Sequence, residues 1–322
     1  MTSPVFRETL KRPARLPAPM SLLVVGTVAY DTIETPFGKA EKVLGGSATY
    51  FSAAASFYTP TFVVGIVGQD FRIAQLDFLR KRGVDLRGVE IKVGEKTFHW
   101  SGRYRYDLNS RDTLATELNA LAKFDPRVPV AAKNAPFVFL GNFDPVLQAK
   151  VLDQVDAPKF VAMDTMDYWM DSARKALDDV IRRVHCLIVN DEEARQLSGQ
   201  GNLVKAAATI QKMGPKTVII KKGEHGALLF NEGKMFFAPA YPLENVVDPT
   251  GAGDTFAGGV MGYLASVGKV NDETLRRAIV KGSALASFCV EKFGPERLVN
   301  LTKDEVLERA RVFGQLTRYE HF

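Results

Sequence analysis

The sequence predicts a three-layer α/β fold, with a central, mostly parallel sheet covered by helices and a small β-sheet lid. Short continuous apolar runs recur at Leu22–Gly26, Phe62–Gly68, Phe137–Gly141, Phe160–Asp164, Cys186–Asn190 and Thr217–Ile220. Runs of this kind form strands buried on both faces. Helical patterns fall between them, at Ser47–Phe57, Phe71–Arg82, Asp144–Gln154, Asp171–Arg183 and Leu203–Met213. Strands alternating with helices of this length imply parallel crossovers. From Ala252 onward helices dominate, through Asp272–Lys292 and Lys303–Gly314. The rhythm breaks between Gly88 and Thr116, where residues alternate, as in Thr97-Phe98-His99-Trp100-Ser101-Gly102-Arg103-Tyr104. With Thr32–Lys42 this region reads as a small antiparallel sheet, too small to form a core of its own. Its expected place is over the carboxyl ends of the main strands, where open α/β sheets bind ligands.

Length and composition narrow the function. A chain of 322 residues, 46% hydrophobic and 25% charged, suits one large domain (21–322) after a flexible tail (1–20). The 42 basic and 37 acidic residues leave a net charge of +5, which suits an anionic small molecule. No basic block is interleaved with aromatics, so nucleic acid is not an expected partner. The two cysteines, Cys186 and Cys289, sit among apolar neighbours and read as buried free thiols. They build no disulfide framework, which fits a cytoplasmic location. No apolar run reaches the roughly 18 residues of a membrane span, so no membrane partner is expected.

The most informative stretch is Val247-Asp248-Pro249-Thr250-Gly251-Ala252-Gly253-Asp254-Thr255-Phe256-Ala257-Gly258-Gly259. Side-chain-poor residues opening a helix leave backbone N–H groups pointing outward at the positive end of its dipole, a natural anion site. Asp254 is the odd member, because a carboxylate there repels an anion unless it holds an attacking hydroxyl and takes its proton. The alternative is an ordinary first-turn Asp. This stretch resembles the C-terminal signature of the ribokinase-like (PfkB) carbohydrate kinases. Gly45-Gly46-Ser47-Ala48-Thr49-Tyr50-Phe51 resembles the family's N-terminal signature, and the likeness runs from Leu22 to Phe313.

The resemblance implies a ribokinase-like fold and an ATP- and Mg²⁺-dependent sugar kinase that phosphorylates a hydroxymethyl group. Asp254 would be the base, and Gly251, Ala252 and Gly253 the anion hole. Asp31 would bind two sugar hydroxyls, or else cap a turn at the lid entrance. Gly45 and Gly46 would admit the sugar close to backbone, or simply open a helix. Beyond them the family's Lys and Asn are replaced by Ser47, Thr49 and Tyr50, so the sugar contacts differ. Asn190 and Glu193 would order water around Mg²⁺, yet their spacing is also that of a capping box. Lys222, Gly223 and Gly226 resemble the nucleotide-side turn, though a hairpin needs such glycines too. Gly282, Ser283 and Ala286 would face adenine or serve close helix packing. Asp248 and Thr250 resemble a site for a monovalent cation such as K⁺. Asp164 and Trp169 keep half of a further family pattern, with Met166 and Tyr168 at its Asn and Arg positions.

Substrate choice is expected from Tyr50, Asn142, His99 and Arg105, on the helix, strand end and lid that the resemblance turns toward the acceptor. The leading alternative is a nucleoside kinase, with His99, Trp100 and Tyr50 stacking on a base. A sugar-phosphate kinase would use Arg103, Arg105 or Arg111 on a second phosphate. A non-catalytic sensor would have lost its base, and Asp254 is present. A lid with an unpaired, partly apolar outer face also predicts a homodimer through the lids.

Overall fold

The structure, a computed structural model, describes residues 20–317. The tail expected over 1–20 therefore lies outside the described residues, except for Met20. The chain opens with strand β1 (Leu22–Val25) and turns into a hairpin, β2 (Ala29–Thr35) and β3 (Gly38–Gly45). Helix α1 (Ser47–Ala55), β4 (Thr61–Gly68), the short α2 (Asp77–Lys81) and β5 (Val84–Lys92) follow. A second hairpin, β6 (His99–Tyr104) and β7 (Arg111–Glu117), precedes α3 (Val130–Lys133) and β8 (Phe137–Leu140). Next come α4 (Pro145–Leu152), β9 (Phe160–Met163), α5 (Asp167–Ser172), α6 (Arg174–Ile181) and β10 (Cys186–Asn190). Helices α7 (Asp191–Ser198) and α8 (Leu203–Met213) lead to β11 (Thr217–Lys221), β12 (Ala227–Asn231) and β13 (Lys234–Ala238). The described chain ends in α9 (Ala252–Val267), α10 (Asp272–Cys289), α11 (Glu296–Val299) and α12 (Lys303–Leu316).

Among the described residues the strands form a nine-stranded sheet, ordered β13-β12-β11-β10-β9-β8-β1-β4-β5, and a four-stranded sheet, β3-β2-β6-β7. The large sheet is parallel from β5 to β11, with β12 and β13 added antiparallel at one edge. Alternate residues of each strand feed opposite layers. Leu22 and Val24 pack with α1, α9 and α10, while Leu23 and Val25 pack with α4, α6, α7 and α8. All of the expected central strands are present. Both cysteines are buried and free.

The structure redraws several boundaries. Gly88–Lys92, expected in the lid, belongs to β5 at the edge of the main sheet, where Gly88 is registered with Val64. An edge strand with one half-exposed face alternates in sequence much as a lid strand does, so patterning alone merges the two. The lid is β2–β3 plus β6–β7, and it is mixed, because its central pair β2–β6 runs parallel. The helix expected over Phe71–Arg82 is a 3₁₀ turn (Ile73–Leu76) followed by α2. That expected over Asp171–Arg183 divides at Ala173, whose backbone leaves helical space (φ −138°, ψ 32°).

Close packing of α9 decides where its first turn stands. A Cβ on Gly259 would lie 2.8 Å from Gly282 Cα of α10, and one on Gly262 2.8 Å from Ala55 Cα of α1. Backbone therefore meets backbone on both sides of α9, a separation that any larger residue would open. The first turn is thus held beside the Gly45–Gly46 turn that opens α1.

Candidate active site

The carboxyl ends of the parallel strands place Asn142 after β8, Asp164 after β9, Asn190 on β10 and Lys221 on β11. Asp254 stands opposite, in the first turn of α9. The lid closes this edge of the sheet, as expected for an open α/β fold. Gly251 caps α9 at φ +75° without a side-chain bond to the first-turn amides. Only glycine takes this conformation without strain, and a Cβ there would strike the Tyr50 ring. A Cβ on Gly253 would come within 2.8 Å of Lys221 Nζ, so both glycines leave space that the site uses. The outcome is a backbone cradle at Gly251 and Gly253 that no side chain covers, whereas the Ala252 N–H, expected in the anion hole, donates to the Pro249 carbonyl at 3.2 Å.

The carboxylates around the cradle are perturbed. Burial pushes Asp254 up to about 6, while the charges of Lys221 and Arg111 hold it down. Such burial cannot be read from the residues that flank Asp254 in sequence. Asp164 is raised well above the usual range by burial and by nearby Asp254, and its Oδ1 is buried without a partner. Glu193 is also raised by burial, against Lys221. Asp31, on β2 and 5% exposed, is pushed up to about 8 by burial, then by the charges of Asp248 and Asp254. Its carboxylate stands where a Cβ of Gly45 would be, so the glycine pair makes room for Asp31 itself.

Asn190 and Glu193 form the reciprocal capping box, each backbone N–H lying 2.7 Å from the other's side-chain oxygen. Glu193 Oε2 is used there, which leaves Oε1 outside the cap. Asp248 is fully buried and accepts from the N–H groups of Thr250 (2.8 Å) and Gly294 (3.1 Å), so it staples the loop before α9. The turn at Lys222, Gly223 and Gly226 joins β11 to β12, and Gly223 faces Asn109 at the tip of the β6–β7 hairpin. Gly282 packs against α9, since its Cβ would lie 2.7 Å from the Phe256 carbonyl, and it presents no open face to adenine. Ser283 is buried, while Ala286 is partly exposed.

The lid register sorts its side chains. Asp31 is paired with Trp100, Ile33 with Gly102, and Tyr104 with Arg111, which puts these residues on the inner face. His99 is on the outer face, bonded to Thr32 Oγ1 at 2.9 Å. Arg103 pairs there with Glu34 (2.9 Å) and Arg105 with Asp112 (3.0 Å). His99 and Arg105, expected to face the acceptor, therefore point away from it: His99 has the opposite parity in β6 to Trp100, the partner of Asp31, and Arg105, just past β6, is turned to Asp112. Tyr50 is 1% exposed beneath Gly251 and forms part of the floor. Asn142 is half-buried, donating to Met166 Sδ and accepting from Trp169 Nε1, both at 3.0 Å.

Sequence reading missed Lys221 as a site residue in favour of Lys222, and left Trp100, Tyr104 and Arg111 without a settled role. A signal was present for Lys221, since it ends a buried strand beside Asn190, its registered neighbour. For the lid residues only the register shows which way they point. Tyr104 accepts a hydrogen bond from Thr250 Oγ1 at 3.1 Å, tying the lid to the loop before the cradle.

Comparison with known proteins agrees with this geometry. The profile of the pfkB family carbohydrate kinases matches residues 21–300. A cytidine kinase of Thermococcus kodakarensis is 31% identical over 265 residues, covering 80% of this chain and 92% of that protein. The structure of Arabidopsis thaliana ribokinase complexed with ribose and ATP superposes with a TM-score of 0.72 at 24% identity, covering 91% of this chain and 99% of that one. The Burkholderia thailandensis nucleoside kinase in complex with inosine gives 0.74 at 21% identity, covering 90% and 98%. Both share the ribokinase fold. With the signatures, the sheet order and the profile in agreement, this chain belongs to the pfkB family of carbohydrate kinases and is a phosphotransferase.

Proposed function

We propose that the protein transfers the γ-phosphoryl group of ATP to the hydroxymethyl group of a nucleoside, with a simple sugar as the competing acceptor. The observation that carries the nucleoside reading is Trp100. Its indole lies on the inner lid face over Gly102, in register with Asp31, and is only partly buried. A flat ring beside a hydroxyl-binding carboxylate suits a base attached to a sugar. Of the three lid arginines named for a second phosphate on the acceptor, Arg103 and Arg105 are ion-paired and turned outward, which leaves only Arg111 on the inner face. The cytidine kinase at 31% identity points the same way.

In this reading Asp31 holds the sugar hydroxyls, while Asp254 aligns the hydroxymethyl oxygen and takes its proton. The backbone N–H groups of Gly251 and Gly253 hold the phosphoryl oxygens. MgATP supplies the phosphoryl donor and the charge neutralisation that phosphoryl transfer requires. Asn190 and Glu193 are the residues that would hold Mg²⁺ through water, a mode this ion favours. Asp248 and Thr250 are the donors nearest the cradle for a monovalent cation. Two buried free thiols suit the cytoplasm.

Trp100→Ala is expected to raise KM for the nucleoside by about tenfold or more, since stacking on a base is worth about 1–3 kcal/mol. KM for free ribose should stay within about twofold in the same variant, because little stacking is lost. Steady-state kinetics on both acceptors decides the matter, and equal effects would favour the simple sugar.

A homodimer through the lids is the accompanying proposal. Its support is the open edge strands β3 and β7, with exposed Leu114 on β7 and exposed Phe37 in the turn before β3, since the outer face itself is polar and ion-paired. Light scattering should give twice the monomer mass at tens of micromolar protein; a monomer there removes the proposal.

A further inference from the structure

Two cations at the site have no direct partner among the described residues. Among the described residues, the ammonium of Lys221 and the guanidinium of Arg111 take part in no ion pair and no side-chain hydrogen bond, whereas Arg103 and Arg105 of the same lid are both paired. Lys221 is half-buried at the end of β11 and reaches Gly253, inside the cradle. Arg111 is exposed on the inner lid face, registered with Tyr104. Both charges act on Asp254 and Glu193, one from the main sheet and one from the lid. Partly burying an ammonium without a direct partner carries a cost, so a mobile anion is the natural counterpart.

We propose that Lys221, from the fixed sheet, and Arg111, from the lid, form a two-sided clamp on the phosphoryl group in transit. This rests on the kinase reading above. The bond between the γ-phosphorus and the β–γ bridging oxygen breaks, and its electron pair leaves on that oxygen. The acceptor oxygen bonds to phosphorus, and its proton goes to Asp254. Negative charge spreads over the three equatorial oxygens of a loose transition state, where cations on two sides stabilise it most. Lid closure would bring the second cation to the first, so acceptor binding and charge stabilisation are linked.

The test compares binding of MgADP with and without aluminium fluoride, in the presence of the acceptor, by calorimetry on the full chain. Wild type should bind MgADP about a hundredfold more tightly with the fluoride, which mimics the group in transit. Lys221→Met and Arg111→Met should each keep MgADP affinity within about threefold while losing at least about tenfold of that gain. Lys221→Arg should restore part of it, and the exposed Arg111 keeps the test open if Lys221→Met fails to fold. Full gain in both Met variants overturns the clamp, as does an equal loss of MgADP affinity, which would mean uniform binding of the ground state. Absence of any gain in wild type overturns the kinase reading and the clamp with it.

Discussion

Asp254→Asn should lower kcat by at least about a hundredfold while leaving the fold and most of the ATP affinity intact, by the usual contribution of a positioned base. Asn keeps the shape and the hydrogen-bonding reach of Asp254 but cannot take a proton. Retention of more than about a tenth of wild-type kcat would exclude Asp254 as the base, because even weak general-base help exceeds that. The pH profile supplies a second check. Asp254 titrates at about 6 in the folded protein. Only its ionised form accepts the proton, so kcat/KM should fall as pH drops through about 6, and Asp254→Asn should lose that limb.

The stability effect has the opposite sign. Burial favours the neutral form of Asp254, so its contribution to folding is fully present below the ordinary carboxylate value of 3.8 and is lost as pH rises through about 6. At pH 8 the ionised side chain therefore costs stability, up to about 3 kcal/mol for a shift of some two units. Asp254→Asn removes that cost, and its melting temperature at pH 8 should rise. A variant less active and more stable than wild type is the behaviour of a functional group, whereas a structural carboxylate would lose both.

The second large effect separates the two glycines of the cradle. Gly253→Val places a branched side chain against Lys221 Nζ, the end of a flexible chain that can move aside. The fold should survive, and kcat should fall by at least about a hundredfold, as on loss of an oxyanion donor. Gly251→Ala meets two obstacles instead: a left-handed backbone (φ +75°) and the buried Tyr50 ring. The backbone alone costs about 1–2 kcal/mol, and displacement of the ring adds to it. A fall in melting temperature of about 4–8 °C is expected, together with loss of activity. Calorimetry beside kinetics separates the cases: a Gly253→Val protein that is unstable yet active when folded would dismiss the anion cradle.

Much of this protein was determined locally. Continuous apolar runs had no arrangement open to them but a sheet buried on both faces, and each appears as a central strand. The stretch from Asp248 to Gly259 carried the family signature, and its uncapped, glycine-rich helix start is a local pattern that the structure keeps. Asn190 and Glu193 wrote the capping box through their spacing alone. Other features depended on register and burial, which no local pattern contains. His99 and Arg105 face outward and Trp100 and Arg111 inward because parity along β6 and β7 is set by pairing with β2. Gly282 serves helix packing because α9 crosses it. The pKa values of Asp31, Asp164 and Asp254 rise because distant segments exclude water from them together. Lys221 matters for the same reason: its neighbours Asp164, Glu193 and Asp254 come from separate parts of the chain, and only the assembled fold brings their charges within reach of one ammonium. Local sequence specifies backbone chemistry, while electrostatics and facing belong to the assembled fold, since both depend on contacts distant along the chain.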